Sequence, residues 1–186
     1  MKKSKSTCFL AAILTIAALF FTTGVAFAET AAVIDSEVDV AIAKLYEGSP
    51  AAKELSRVAK GMLVFPNVIK AGLLVGAQYG QGALRAGNKT MGYYNTVAAS
   101  YGLQAGAQSF GYAMFFMTDD ALAYLKNSSG WEIGVGPSIV VVDEGLARSL
   151  TTTTAKDDIY VFFFDQKGLM AGLGVQGSKI TQIHPE

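Results

Sequence analysis

The chain has 186 residues, of which 51% are hydrophobic, and its 15 basic and 15 acidic side chains give a formal net charge of zero. This balance gives no bulk attraction to nucleic acid, and the single cysteine, Cys8, excludes an internal disulfide network. The length suits one domain that buries most of its apolar surface.

The first 28 residues have the features of a cleaved secretory signal peptide. A lysine-rich start at residues 2–5 precedes an apolar stretch over residues 9–21, and Ala26-Phe27-Ala28 supplies the small residues at which such a leader is cut. The apolar stretch is short for a membrane span. We therefore expect a mature chain of residues 29–186 in the periplasm or secreted. Cleavage removes three of the 15 basic residues and none of the 15 acidic ones, which leaves a net charge of about −3 and no cysteine.

Two helices are predicted before the glycine-rich part of the chain. Apolar residues recur at helical spacing over residues 34–45, with charged residues between them, and predict one amphipathic helix that ends at Gly48. Ser49-Pro50 is typical of a helix start, and a second short helix closed by Gly61 is expected to follow.

Glycines recur at even-numbered steps in four apolar runs, and the side chains of a β-strand alternate with a period of two. These glycines are Gly72, Gly76, Gly80 and Gly82, then Gly102 and Gly106, then Gly134 and Gly136, then Gly172 and Gly174. A strand face without side chains permits close approach of another group. The sequence leaves three interpretations open: a sharply curved sheet, a helix packed against the strands, or a ligand that touches backbone.

Strands are predicted for much of the chain after these helices. An apolar run at residues 62–65 is cut by Pro66-Asn67, and a long strand from Val68 turns near residues 87–89. Residues 93–117 are too long for one ordinary strand, so their glycines predict bends, bulges or a break into two strands.

One inserted helix and a set of C-terminal strands complete the prediction. Thr118, followed by two aspartates, is expected to cap the helix. Further strands are expected at residues 131–142 and 159–164, and the second is expected to join a final strand as a hairpin through a turn at residues 165–168. Residues 143–158 are expected to form a surface loop, with room for one helical turn. The predicted fold class is α+β: a curved, glycine-rich antiparallel sheet or sandwich with two N-terminal helices and one inserted helix.

Two aromatic stretches, residues 112–117 and 160–164, are apolar on both strand faces. This pattern favours central strands covered on both sides over an exposed lipid-facing strip.

Motifs for catalysis, metals and cofactors are weak. Residues 172–177 match the letters of the dinucleotide-binding pattern G-x-G-x-x-G, but they alternate like a strand and only nine residues follow them, too few for the acidic residue that holds the ribose. The single histidine, His184, lies two residues from the C-terminal end, and no residue can serve as the base of a serine triad. The prediction is a protein with no enzymatic activity, no cofactor and no metal.

Four basic residues are candidates for binding lipid head groups. Lys53, Arg57 and Lys60 occur at helical spacing, which predicts one shared face of the second helix, and Lys70 follows in the first long strand. At about 1 kcal/mol each, four contacts with an anionic membrane give about 4 kcal/mol, or roughly millimolar affinity. Lipid binding therefore also requires an apolar insertion or a head-group pocket. The alternative is a solvated helix face, partly neutralised by Glu54.

Several ordered blocks of the chain resemble the SYLF domain, a lipid-binding module. The blocks are Ala59-Lys60-Gly61, Leu63-Val64-Phe65-Pro66, Val68-Ile69-Lys70-Ala71-Gly72, Tyr79-Gly80-Gln81-Gly82, Gly102-Leu103-Gln104-Ala105-Gly106-Ala107-Gln108 and Lys167-Gly168-Leu169-Met170-Ala171-Gly172. The resemblance covers about residues 36–183 and implies lipid binding without catalysis. At the last strand, where the family often has leucine, glutamate and glycine, this chain has Val175-Gln176-Gly177.

The resemblance also bears on partners. Eukaryotic relatives are associated with phosphoinositide membranes and, in yeast, with actin, whereas bacterial relatives are exported. For this chain it implies an anionic phospholipid or phosphoinositide surface. No actin partner is expected, because the basic cluster tied to actin contact in yeast relatives is not evident and export removes the protein from the cytoskeleton. The charge balance gives no reason to expect nucleic acid. The alternative is an envelope protein-interaction or structural module that binds no lipid directly.

Overall fold

The computed structural model describes residues 29–128, 130–133, 136–168 and 178–186, with side chains described except at residues 73–75 and 100–105. The predicted signal peptide and the glycine motif at residues 172–177 lie outside these ranges. The helices are α1 (Ala31–Gly48), α2 (Pro50–Leu55), α3 (Asp119–Asn127) and α4 (Glu144–Ser149). The strands are β1 (Gly61–Ala86), β2 (Lys89–Phe116), β3 (Trp131–Glu132), β4 (Ile139–Val142), β5 (Ile159–Gly168) and β6 (Lys179–Ile183). The predicted α+β class with a curved sheet is confirmed.

Hydroxyl side chains cap the first three helices, and the caps at Ser49 and Thr118 were predicted. The side chains of Thr30, Ser49 and Thr118 accept hydrogen bonds from backbone amides in the first turns of α1, α2 and α3. The second helix is shorter than predicted, because it ends at Leu55 and not at Gly61. Residues 56–59 continue it only as irregular turns.

The sheet is built around β2, and its order is β3-β6-β2-β5-β4, with β1 paired to β2 as well. Residues 87 and 88 connect β1 to β2, and Gly87 takes a positive φ of 58° at this turn. The prediction of an antiparallel sheet needs one correction, because β4 and β5 pair in parallel. The connection between them contains α4 and is long enough for such a crossover.

The first two strands are longer than predicted. Pro66 and Asn67 do not interrupt β1; they lie at a register shift, where proline is tolerated because the ladder is already irregular. Of the bends, bulges or break predicted in residues 93–117, the structure shows an irregularity between Ser109 and Gly111 and no break, since β2 is one strand of 28 residues. Its two halves have different partners: Tyr93–Val97 pairs with β6, and Gln108–Phe116 pairs with β5.

Three C-terminal predictions also need correction. Residues 131–142 form two strands and not one. The strand β5 continues through the predicted turn at residues 165–168. The helix α4, in contrast, agrees with the helical turn allowed within the predicted loop. In the described residues, β5 and β6 each pair with β2 and not with one another, so they form no hairpin there.

The strand β1 folds back so that its two ends pack against each other. A Cβ atom added to Gly82 would collide with the carbonyl oxygen of Val64, and one added to Gly80 would lie 2.7 Å from Val68 Cγ2 and 2.9 Å from the Asn67 oxygen. Side chains at either glycine would therefore separate the two parts of the strand. The first of the three interpretations of the glycines, a sharply curved sheet, therefore applies at Gly80 and Gly82. The close contact at both positions is made by another part of the same strand.

Alternate side chains of the central strands enter two hydrophobic cores. The first core contains Leu63, Phe65, Tyr112, Met114, Phe116, Ile159, Val161 and Trp131, together with Leu125 of α3. The second contains Val64, Phe115, Tyr160 and Phe162, together with Ile34, Val38 and Leu45 of α1. Because residues 112–116 and 160–162 are buried on both faces, the prediction of covered central strands is confirmed for them.

Candidate membrane-binding surface

The structure separates the four predicted basic residues into two regions. Lys53 lies on α2, while Arg57 and Lys60 follow the end of that helix, so the predicted common helical face is wrong. All three side chains are exposed. Lys70 is half-buried and lies ten residues further along β1, roughly 30 Å away along an extended strand.

Two of these residues make ion pairs on the surface. Arg57 Nη1 lies 3.0 Å from Glu54 Oε2, and Lys60 Nζ lies 3.4 Å from Asp119 Oδ2. All four side chains are between about half and four-fifths exposed, and such pairs contribute little free energy. Both cations therefore remain available to an external anion.

The helix α1 does not present its apolar stripe to solvent. Ile34, Val38 and Leu45 are at most 2% exposed, because they pack into the second core. The helix also contains four acidic residues, Asp35, Glu37, Asp39 and Glu47, against one basic residue, Lys44. Val33 and Val40 of this helix are 45% and 55% exposed, but its excess of acidic over basic residues leaves it without the positive face that an anionic membrane attracts.

A network around Arg85 holds α1 against the β1–β2 hairpin. Arg85 Nη2 lies 2.8 Å from Asp39 Oδ1 and 3.2 Å from Asp35 Oδ1, while its own side chain is only 9% exposed. The hydroxyls of Thr90 and Tyr93 donate to the Asp35 carboxylate at 2.7 Å and 2.9 Å. Burial and this hydrogen bond raise the pKa of Tyr93.

A second surface, which the sequence reasoning did not single out, lies on the middle of the hairpin. We call it the apolar ribbon face. It consists of Ile69, Ala71, Ala77 and Tyr79 of β1 with Val97, Ala99 and Ala107 of β2, all exposed. Tyr79 pairs with Val97, Ala77 with Ala99, and Ala71 with Ala107, so these side chains share one side of the two strands. The odd-numbered apolar positions in both strands are the signal that could have revealed it.

The charge distribution along the chain is uneven around this surface. Residues 55–118 contain no aspartate or glutamate, but they contain five basic residues: Arg57, Lys60, Lys70, Arg85 and Lys89. Arg85 is buried with its two aspartates, whereas Arg57, Lys60 and Lys89 are exposed and Lys70 is half-buried. The hairpin and the turn before it can therefore approach an anionic surface without carboxylate repulsion of their own.

Comparison with known protein families tests the resemblance found in the sequence. Residues 97–185 match the Ysc84 family model, which is described as "Las17-binding protein actin regulator". The match covers 89 of the 186 residues, a little under half of the chain, and confirms the predicted resemblance to the SYLF domain family. The matched segment begins in β2 at the apolar ribbon face and extends through β6. No match was found among curated proteins.

The SYLF family consists of lipid-binding and actin-regulator domains. Its members are known for binding and are not known as enzymes. Within the described ranges, no three histidine, cysteine, aspartate or glutamate side chains are grouped in a way that could hold a metal ion. Among the helices that the structure describes, none is both long and apolar enough to cross a bilayer.

Proposed function

We propose that this SYLF domain is an exported envelope protein that binds anionic phospholipid surfaces and catalyses no reaction. One observation carries the proposal: a stretch of 64 residues without a carboxylate, residues 55–118, exposes cations in a family of lipid-binding and actin-regulator domains. Lys53, Arg57, Lys60 and Lys70 are the proposed contacts with head groups. Both simple phospholipids and phosphoinositides supply the phosphate groups that such cations bind.

The four cations alone are expected to bind an anionic membrane only weakly. Each exposed cation near an anionic membrane contributes about 1 kcal/mol, so four give roughly millimolar affinity. The separation of Lys70 from the other three reduces the chance that all four touch one flat surface together. Charge therefore steers and orients the protein, and an apolar contribution is needed for stable attachment.

Vesicle co-sedimentation tests the role of the cations. A chain that starts at Glu29 retains every helix and strand that the structure describes. We expect it to sediment with phosphatidylglycerol or phosphoinositide vesicles and to stay in the supernatant with phosphatidylcholine vesicles. The triple variant Lys53→Glu, Arg57→Glu, Lys60→Glu should bind at least tenfold more weakly, since it replaces three attractions of about 1 kcal/mol by repulsions.

A matched control separates local contact from net charge. The variant Arg148→Glu, Lys156→Glu, Lys179→Glu changes the net charge by the same amount at exposed positions outside residues 55–118. It should bind at least fivefold more tightly than the first variant. Equal losses in the two variants would exclude a specific role for Lys53, Arg57 and Lys60, and absence of wild-type sedimentation with any anionic vesicle would contradict the proposed function.

Export has its own test. Intact mass and N-terminal sequencing of the protein from the periplasmic fraction should identify Glu29 as the first residue. Recovery of the uncleaved chain from the cytoplasm would contradict this part of the proposal.

A second candidate function is an envelope protein-interaction module. The family description, a Las17-binding protein, favours it, as does the edge of β1, which in the described residues pairs only with β2. An extended segment of a partner could add to this open edge. Saturable binding of a defined envelope protein, together with no vesicle binding, would favour this function over the first.

A further inference from the structure

Arg85 uses only part of its hydrogen-bonding capacity, although its side chain is only 9% exposed. A guanidinium has five N–H groups. Among the described residues only Nη2 finds acceptors: it donates to the carbonyl oxygen of Asp35 at 3.1 Å and to Asp39 Oδ1 at 2.8 Å. The buried Nε has no partner. A buried cation with an unused donor indicates a place for a further acceptor.

An open cavity of about 430 Å³ lies beside this guanidinium. Its lining includes Arg85, Asp39 and Tyr46, together with Asn88 of the β1–β2 turn. The volume is in the range of small-molecule sites, roughly 300–1,000 Å³. The Tyr46 hydroxyl also lacks a strong partner, because its one hydrogen bond within the described residues is to the weakly accepting Sδ of Met62 at 3.9 Å. Side chains with donors therefore line one cavity from the helix, the strand and the turn.

The two aspartates beside Arg85 are held very differently. Asp35 accepts hydrogen bonds from Thr90 and Tyr93 and also pairs with Arg85, so it neutralises the guanidinium and fixes its position. The Asp39 side chain is 69% exposed, and in the described part of the chain it accepts a hydrogen bond from Arg85 alone. Rotation of Asp39 into solvent therefore costs little free energy and leaves the Arg85–Asp35 pair intact.

We propose that Arg85 binds a phosphate group and that Asp39 is an internal competitor, which pairs with the guanidinium until the phosphate displaces it. This site goes beyond the proposed function, because none of the four head-group candidates lines the cavity. Tyr46 and Asn88 lie where they can bind the polar group that carries the phosphate.

Competition with Asp39 selects the ligand. Guanidinium groups bind both carboxylates and phosphates through charge-assisted hydrogen bonds. A carboxylate ligand has one charge, as Asp39 has, and it must displace a group that is tethered beside Arg85 at an effective concentration on the order of millimolar. A phosphate monoester has a charge of about −1.5 to −2 at pH 7 and three acceptor oxygens, so it can also reach a donor that Asp39 leaves unused. A cationic ligand would leave Nε without an acceptor.

The arginine signals make the site directly observable, because the sequence contains only Arg57, Arg85 and Arg148. In proton–nitrogen correlation spectra of a chain that starts at Glu29, each arginine contributes one Nε–H signal, and the exposed Arg57 and Arg148 serve as internal controls. At constant ionic strength and pH 7, glycerol 3-phosphate should move the Arg85 proton signal by about 0.2 ppm or more and the other two by much less. Equal shifts of all three signals, or no shift of the Arg85 signal, would overturn the proposal.

A pair of substitutions on α1 tests the role of Asp39. Asp39→Asn removes the competing charge, whereas Glu37→Gln removes the same charge from an exposed position on the opposite side of the helix. By calorimetry, we expect Asp39→Asn to bind glycerol 3-phosphate at least fivefold more tightly than the wild type and Glu37→Gln less than twofold more tightly. Unchanged or weaker binding by Asp39→Asn, or equal gains in the two variants, would overturn the proposal.

Substitution of the binding side chains gives the opposite result. Arg85→Lys keeps the positive charge that Asp35 needs but lacks the guanidinium donors, and it should bind glycerol 3-phosphate at least tenfold more weakly. Circular dichroism checks that it folds. Tyr46→Phe removes one hydroxyl and should weaken binding about threefold, so it provides a second test if Arg85→Lys is unfolded. Wild-type affinity in a folded Arg85→Lys variant would contradict the site.

Vesicles distinguish a lipid head group from a soluble phosphate ester as the source of the phosphate. Phosphatidic acid presents a phosphate monoester in a bilayer. A lipid source predicts that Asp39→Asn increases affinity for phosphatidic acid vesicles at least fivefold, and a soluble source predicts a gain for glycerol 3-phosphate alone; either result supports the site. Sedimentation of the wild type with phosphatidylglycerol vesicles, without a response of Arg85 to phosphate, would overturn the site and keep the proposed function. Phosphate binding without sedimentation on any anionic vesicle would do the reverse.

Discussion

At the scale of single residues, Gly82 shows what the glycines do in this sheet. Its position leaves no room for a Cβ atom, because the backbone carbonyl of Val64 occupies that space and cannot rotate away as a side chain would. The glycine is required by close packing and not by a left-handed backbone conformation, since Gly82 is not among the glycines with positive φ.

This packing predicts a large effect of one methyl group. Gly82→Ala should lower the free energy of unfolding by about 2–3 kcal/mol, because overpacking forces the two parts of β1 apart. Gly48→Ala is the control: no atom lies within 4 Å of its added Cβ, and alanine favours the helix end where it lies. Urea denaturation measures both. A loss below about 0.5 kcal/mol for Gly82→Ala would show that the strand does not fold back this closely.

Asp158 gives a prediction about pH. The amide and hydroxyl of Ser138 donate to its carboxylate, each at 3.0 Å, and these bonds lower the pKa of Asp158. A carboxylate with a lowered folded-state pKa stabilises the fold above its unfolded pKa of about 3.9, and this contribution is lost as the pH falls through the folded value.

The variant Asp158→Asn should therefore be about 1 kcal/mol less stable than the wild type at pH 7. The difference should shrink progressively below about pH 4, where the wild-type carboxylate itself becomes protonated. Unfolding measured from pH 3 to pH 8 follows it, with Glu132→Gln as an exposed control. A difference that stays constant over this range would contradict the role of the Asp158 charge.

At the scale of elements, Arg85 is the main polar connection between α1 and the hairpin. Its guanidinium is buried beside Asp35 and Asp39, yet the Asp39 side chain is 69% exposed. Removal of the buried cation leaves Asp35 without its charge partner, whereas neutralisation of an exposed partner has a small effect.

This asymmetry can be measured. Arg85→Met should lower the free energy of unfolding by about 3 kcal/mol and should speed hydrogen exchange in α1, while Asp39→Asn should lower it by less than about 1 kcal/mol. Similar effects of the two substitutions would indicate that α1 is held by its apolar stripe alone.

The elements also show which parts of the fold can be predicted from sequence. Capping residues and helical spacing locate α1 and α3 because these signals are local. The fold-back of β1 depends on contact between Val64 and Gly82, and the parallel pairing of β4 with β5 depends on the path of a long connection. Neither feature produces a pattern among neighbouring residues in the sequence. The two-sided burial of Ile159–Phe162, the first part of β5, could be predicted, because both faces are apolar there.

The candidate site was predictable only in part, for a similar reason. Lys53, Arg57 and Lys60 are visible as a basic cluster in the sequence, but α2 ends too early to align them on one helical face. Tyr79 and Val97 are 18 positions apart, and only the register of the hairpin places them side by side. Spacing within one strand cannot show a surface that two strands share.

At the scale of the whole molecule, two cores contain most of the buried apolar side chains of the described residues. Both faces of the central strands are occupied by core side chains, and α1 is committed to the second core. Ile69, Tyr79 and Val97 of the hairpin remain exposed, within residues that carry basic but no acidic side chains, and Val33 and Val40 of α1 are exposed as well. These exposed apolar side chains lie outside the two cores that hold the fold together.

The most direct test uses residues 29–186 without any substitution. It measures how this chain partitions between buffer and vesicles at low and high salt. We expect strong co-sedimentation with phosphatidylglycerol vesicles at 50 mM salt, on the order of a tenfold loss at 500 mM salt because screening weakens exposed charges, and negligible sedimentation with phosphatidylcholine vesicles. Equal, negligible recovery with anionic and neutral vesicles at both salt concentrations would contradict the proposal that this protein binds anionic lipid.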